Sequence, residues 1–141
     1  MLKIRIINGA NLNLLGAREP EIYGTETMEA CLARLKRVDG VEISLVQSNV
    51  EGELVNQLQA AAREVDAIIL NAGGYAHTSV VIADCIRAIE TPVVCVHLSN
   101  IFDREAYRQT DLVASACVGM ICGFGTRVYD LAVEYFMQAK R

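Results

Sequence analysis

Five runs rich in Ile, Val and Leu, at residues 2–8, 41–48, 67–72, 93–99 and 118–123, alternate with stretches whose apolar positions recur at helical spacing. The runs are near-continuous rather than alternating, which predicts strands covered on both faces, as in a parallel sheet. Helices are predicted at about 27–38, 52–64, 80–89 and 126–138. The first places Met28, Cys31, Leu32, Leu35 and Val38 on one face, with Thr27 as its cap. The second uses Leu54, Val55, Leu58, Ala61 and Ala62, and the last Val128, Leu131, Ala132 and Tyr135, and each keeps a polar face. The third is apolar around most of its circumference, from Val80 to Ile89. Such a helix is covered on more than one side, either by its own domain or by another subunit. The alternation of strand and helix predicts an α/β protein with an open, doubly wound sheet in three α/β/α layers.

The connection at 8–24, Asn-Gly-Ala-Asn-Leu-Asn-Leu-Leu-Gly-Ala-Arg-Glu-Pro-Glu-Ile-Tyr-Gly, is too long for an ordinary loop and too apolar for a disordered one. It reads as a lid over a site. In open α/β sheets ligands bind beyond the carboxyl ends of the strands, and the polar residues cluster there. Strand one leads into this lid. Strand three leads into Asn71, Gly73, Gly74, Tyr75, His77, Thr78 and Ser79; strand four ends in His97, Ser99 and Asn100, followed by Arg104 and Arg108.

At 141 residues and 52% hydrophobic content the chain is read as one domain of ordinary size, 1–141, with its lid at about 9–24. A net charge of −4 argues against a nucleic-acid surface. No apolar run is long enough to span a membrane and no secretory signal precedes the first strand, so a cytoplasmic location is expected. The five cysteines form no Cys-x-x-Cys pair and read as reduced core residues; the two histidines lack zinc-site spacing. No structural metal is expected.

Taken singly, the strand-end residues have structural explanations. Asn8 and Asn71 can satisfy loop backbone, His97 can be a hydrogen-bonded core histidine, and Arg18 with Glu19 can be a solvated pair. Together they suggest acid–base chemistry. A serine elbow is absent, and none of the three lysines, Lys3, Lys36 and Lys140, falls at the carboxyl edge, which disfavours a Schiff base. Tyrosine has a reference pKa of about 10, and a neighbouring guanidinium such as that of Arg18 favours the phenolate. With Tyr23 as base and His97 as acid, the chemistry read from these residues is proton abstraction beside a carbonyl with loss of hydroxyl, a dehydration.

The chain resembles the type II 3-dehydroquinate dehydratases of the shikimate pathway. The resemblance rests on Asn-Leu-Asn-Leu-Leu-Gly-x-Arg-Glu-Pro-x-x-Tyr-Gly at 11–24, Gln-Ser-Asn-x-Glu-Gly-Glu-Leu at 47–54, Tyr-x-His-Thr-Ser at 75–79, His-Leu-Ser-Asn at 97–100, Arg-Glu-x-Tyr-Arg at 104–108 and Gly-Phe-Gly at 123–125. It implies a flavodoxin-like fold, no metal or cofactor, and a homo-dodecamer built from trimers. It also implies 3-dehydroquinate as substrate, Tyr23 as the base, Arg18 as its cationic support, His97 as the acid and Asn11 as support for an enolate. Asn71 with the backbone at Leu98 and Ser99 would hold the substrate carboxylate, His77 and Arg108 the ring hydroxyls, and Asp84 would reach a neighbouring subunit's site. Two positions depart from the family pattern. Ala10 stands where proline is usual, which is expected to loosen the lid. Cys95 stands where a glutamate commonly shares a strand face with the histidine, so His97 is expected to be less strongly supported. A flavodoxin-like binding module is the competing reading. A phosphoacceptor would want aspartates at Asn8 and Asn71, and a flavin-phosphate loop would want hydroxyl residues after strand one.

Overall fold

The strands form in the predicted places, β1 Leu2–Asn8, β2 Val41–Gln47, β3 Ala67–Asn71, β4 Val93–His97 and β5 Gly119–Cys122. In the computed structural model, which describes residues 1–17 and 19–139, all pair in parallel in the order β2-β1-β3-β4-β5. That is the flavodoxin-like order, whose topological switch lies between β1 and β3. The central strands are buried along their whole length at β3 and β4, which explains why their sequences are continuous rather than alternating.

Helices α2 Met28–Leu35 and α5 Arg127–Ala139 cover one face. They close a core with Ile4, Ile6, Ile69, Val94, Val96, Leu35 and Tyr129. Helices α3 Glu51–Glu64 and α4 Val80–Ala88 cover the other, around Ile7, Ile68, Leu70, Leu54, Leu58 and Ile82. Thr27 caps α2, its hydroxyl accepting from the Ala30 N–H at 3.1 Å, as expected. That helix ends earlier than predicted. Residues 36–38 tighten into a turn, with Arg37 and Val38 donating to the carbonyls three residues back. Arg34 pairs with Asp130 at 2.7 Å and with Glu26, tying α2 to α5 and to the segment that follows the lid.

The lid is not structureless. It folds into a 3-10 turn at Leu12–Leu14 and a short helix, α1 Pro20–Tyr23, with proline at the start, where its missing N–H costs nothing. Arg18 lies outside the described residues. α4 is less uniformly covered than its sequence suggests: Ile82, Ala83, Cys85 and Ile86 are buried, while Val80 and Val81 are 60% and 52% exposed. Among the described residues no helix is long and apolar enough to cross a membrane.

Candidate active site

A cavity of about 150 Å³ opens at the carboxyl ends of β1, β3 and β4. Eight of the ten residues singled out from sequence line it, namely Asn11, Tyr23, Asn71, His77, His97, Leu98, Ser99 and Arg108. Asp84 is exposed on α4 and does not line this chain's own cavity. Arg18 lies outside the described residues.

The cavity floor lies where β1 and β3 separate. Asn8 and Asn71 are register partners, both buried. Tyr129 reaches them from α5, donating its hydroxyl to Asn8 Oδ1 at 2.8 Å and accepting from Asn71 Nδ2 at 3.1 Å. Burial pushes the Tyr129 phenol well above its ordinary pKa, so it is a neutral hydroxyl throughout the working range. Asn71 Oδ1 accepts the Gly73 N–H at 3.3 Å, which fixes the turn after β3. Two glycines let the loops after β1 and β3 approach. A Cβ on Gly9 would lie 2.5 Å from the Ala72 carbonyl oxygen, and Gly73 has φ +63 with the Ala10 carbonyl oxygen 2.8 Å from where its Cβ would be.

Asn11 begins the lid in the left-handed region, φ 72, a conformation costly for a residue with a side chain. Its N–H is held by Asn49 Oδ1 at 2.9 Å; the same oxygen accepts from Gln47 Nε2, which also donates to the Gly9 carbonyl. The Gln-Ser-Asn motif at 47–49 thus acts as a cradle for the lid's first turn. Ala10, in the proline position, lines the cavity beside it.

Tyr23, at the end of α1, has the Arg104 guanidinium 5.2 Å from its ring centroid. Arg104 also donates to Ser99 Oγ at 3.3 Å, and Arg108 is held by Glu105 at 2.6 Å. Burial works against the charge of Arg108, but that carboxylate and the nearby Tyr23 outweigh it and raise its pKa. The motif at 104–108 therefore brings two cations to the tyrosine, where only Arg18 was expected in that role.

The two histidines stack, ring centroids 5.7 Å apart and planes 19° from parallel. His77 Nδ1 faces the Thr110 carbonyl at 2.8 Å, and a carbonyl only accepts, so that nitrogen carries a proton. His97 Nε2 lies 2.7 Å from Asp111 Oδ2, both side chains only 7% exposed. Burial alone would raise the Asp111 carboxyl. The bond from His97, the Ala114 N–H and the electrostatic influence of His97 and His77 outweigh it and hold the group below the ordinary aspartate range. It is ionised at neutral pH and accepts from Nε2. The expectation that His97 is less strongly supported is therefore corrected: position 95 has no carboxylate, and Asp111 supplies one from a different segment.

Cys95 cannot share that role as an anion. Its contact with Cys117, its burial and the charge of Asp111 raise its thiol pKa well above the ordinary value. It is a neutral thiol 3.8 Å from His97 Nε2 and 3.9 Å from Asp111 Oδ2, too long for strong bonds. Among the described residues these three form the one group whose His, Cys and carboxylate donor atoms lie within 4.8 Å of one another, spacing suited to a soft divalent ion. The histidine and carboxylate are already engaged with each other, and an ion would have to replace their hydrogen bond. Nothing in the sequence singles out Asp111, because its carboxylate meets His97 across 14 residues of irregular chain.

Acidic, basic and amide groups from three strand ends, converging at the switch point of a flavodoxin-like sheet, define an α/β protein with a small-molecule site. The comparisons narrow this class. The family pattern described as Dehydroquinase class II matches residues 2–137. A 3-dehydroquinate dehydratase from Clostridium acetobutylicum is 47% identical over 135 residues, 94% of either chain. One from Prochlorococcus marinus is 48% identical over 136 residues, 94% of this chain and 91% of its own. Among solved structures, the type II dehydroquinase from Butyrivibrio crossotus superposes with a TM-score of 0.91 at 34% identity, covering 95% of this chain and 96% of that one. The chain belongs to the class II dehydroquinase family.

Proposed function

We propose that this protein dehydrates 3-dehydroquinate to 3-dehydroshikimate in the shikimate pathway, as a type II hydro-lyase acting in the cytoplasm. The observation that carries the reading is the presence of Tyr23, with a guanidinium over its ring, and of His97, held by a buried carboxylate, on the walls of one cavity. The Tyr23 oxygen takes the C2 proton and the C–H pair enters an enolate. The enolate then collapses as the C1–OH bond breaks. His97, with Nε2 engaged by Asp111, gives a proton from its other ring nitrogen to the departing oxygen, which leaves as water. Proton exchange with solvent then returns Tyr23 and His97 to their starting states.

Arg18 completes the cationic surroundings of Tyr23, and Asn11 supports the enolate oxygen. Asn71 with the backbone of Leu98 and Ser99 receives the substrate carboxylate, and His77 and Arg108 receive the ring hydroxyls. Two features support an assembly larger than the single chain, in our reading a dodecamer of trimers. Val80 and Val81 are exposed on α4, and Asp84 on the same helix is exposed and does not line its own cavity, which suits a residue offered to a second subunit's site. The test is ultraviolet absorbance of the conjugated enone formed from 3-dehydroquinate. Turnover by the wild type, lost in Tyr23→Phe, is the expected result. A wild type that makes no enone, or a Tyr23→Phe variant that keeps full activity, would overturn the reading.

A further inference from the structure

We infer that Asp111 is the positioning residue that orients His97, and that the pocket accepts one such carboxylate, from position 111 or from position 95 but not from both. The kinetic part of this inference rests on the dehydratase reading; the geometric part does not.

Asp111 is held on both sides. His77 Nδ1 donates to the Thr110 carbonyl at 2.8 Å, and the N–H groups of Leu112 and Val113 donate to the Ala76 carbonyl at 2.9 and 3.3 Å. Residues 110–113 are thereby stitched to the turn after β3. The carboxylate itself divides its two oxygens: Oδ1 accepts the Ala114 N–H at 2.8 Å, and Oδ2 accepts from His97. An ionised acceptor fixed in this way selects the ring orientation and leaves Nδ1 as the nitrogen available to the cavity.

Position 95 points at the same nitrogen. Cys95 and His97 are two apart on β4 and share a sheet face, and Cys95 is fully buried with Sγ 3.8 Å from Nε2. A longer acidic side chain at 95 would therefore reach the same N–H. With Asp111 present it would also meet a carboxylate whose oxygen is 3.9 Å from the present sulfur. One N–H cannot satisfy two acceptors, and two buried like charges at that range cannot both stay ionised. The absent carboxylate at 95 and the present one at 111 are thus two solutions to the same requirement.

The experiment compares Asp111→Asn, Cys95→Glu and the double variant in steady-state turnover and in 15N spectra of the imidazoles. Asp111→Asn keeps an amide oxygen for the Ala114 N–H but presents an NH2 to His97, so a merely structural capping role would survive it. Loss of a charged hydrogen bond predicts a kcat fall of about 10- to 100-fold, with KM changed less than about threefold. Cys95→Glu alone is expected to lose at least about tenfold. The double variant has the wild-type charge count and is expected to return to within about fivefold of wild type, although its contact with the Ala114 N–H is the same as in Asp111→Asn.

The chain has only two histidines, so the spectra, taken where both rings are neutral, are readily assigned. His97 should be the Nε2–H tautomer in the wild type, lose that preference in Asp111→Asn and recover it in the double variant, while His77 stays Nδ1–H throughout. A gain in rate from Cys95→Glu alone, a double variant no better than Asp111→Asn, or an Nδ1–H tautomer of His97 in the wild type would each overturn the inference. The last arm needs no variant to fold. If the wild type makes no enone, the dehydratase reading fails and the tautomers still decide the role of Asp111.

Discussion

Replacing Tyr129 by phenylalanine removes one oxygen from the centre of the protein and nothing else. That oxygen donates to Asn8 Oδ1 and accepts from Asn71 Nδ2, and Tyr129, Asn8 and Asn71 are 0%, 0% and 3% exposed. No solvent can take its place. Among the described residues Asn8 Nδ2 already has no hydrogen-bond partner, so a flip of that amide offers no relief. Each buried group left unsatisfied costs about 1–3 kcal/mol, partly offset because the phenol itself no longer has to be desolvated. The sum is about 2–4 kcal/mol, a large share of the ~5–15 kcal/mol that holds a typical domain. In urea, with m about 2 kcal/mol/M for a chain of this size, the midpoint should fall by about 1–2 M at unchanged m. Wild type and variant must be compared at one protomer concentration, since any assembly adds to apparent stability. KM should rise, because Asn71 lines the cavity and loses its anchor. A midpoint shift below about 0.3 M would refute the claim that this hydroxyl supports the floor of the site.

Three further outcomes follow from the same geometry. Gly73→Ala forces a Cβ to within 2.8 Å of the Ala10 carbonyl at φ +63, and should cost about 1–3 kcal/mol in thermal or urea unfolding while reducing turnover; a neutral result would mean the two loops are not in contact. Arg104→Lys keeps the charge but loses the flat guanidinium over Tyr23, a contact worth about 0.5–2 kcal/mol, so kcat should fall about 3- to 30-fold with the fold unchanged by circular dichroism. The Asp111 carboxyl titrates lower in the folded chain than in the unfolded one, since the bonds from His97 and Ala114 outweigh its burial. Its contribution to stability is then fully present above the unfolded value of about 3.9 and drains as pH falls through the folded value. The stability gap between wild type and Asp111→Asn should therefore be wide at neutral pH and close in acid, and a gap that stays constant across the titration would contradict this.

What could be foreseen from sequence divides along a physical line. Strands β3 and β4 are legible because burial on both faces demands an unbroken apolar run, and the sites at their ends are legible because Asn71 and His97 interrupt those runs. Strand ends are overestimated by one or two residues, since Ser48, Ala72 and Ser99 already belong to the turns that follow β2, β3 and β4. Helix α2 is overestimated for a different reason: Val38 fits the apolar period, yet the chain must tighten before Gly40, whose φ is +84. Asp111 was invisible. An aspartate ahead of Leu-Val-Ala reads as a turn residue, and only the non-local bonds of residues 110–113 to Ala76 and His77 bring it to the imidazole. Cys95 illustrates the converse hazard. Its strand face was readable from alternation, but an absent carboxylate in one segment says nothing of a carboxylate delivered by another.

The same division explains how the cavity keeps its shape. Four of the polar groups that line it are held by partners behind them. Asn71 is held by Tyr129 and Gly73, Asn11 by Asn49, His77 by Thr110, and His97 by Asp111. None of these partners except Gly73 lines the cavity itself. Positioning is thus delegated to α5, to the end of β2 and to the segment at 110–111, elements far apart in sequence that meet only in the folded sheet. A catalytic group out of place by a fraction of an ångström loses rate long before the fold loses stability. Substitutions at Asn49 and Asp111 should accordingly appear in turnover at temperatures where unfolding measurements still report a native chain, whereas Tyr129, buried in the shared core, should register in both.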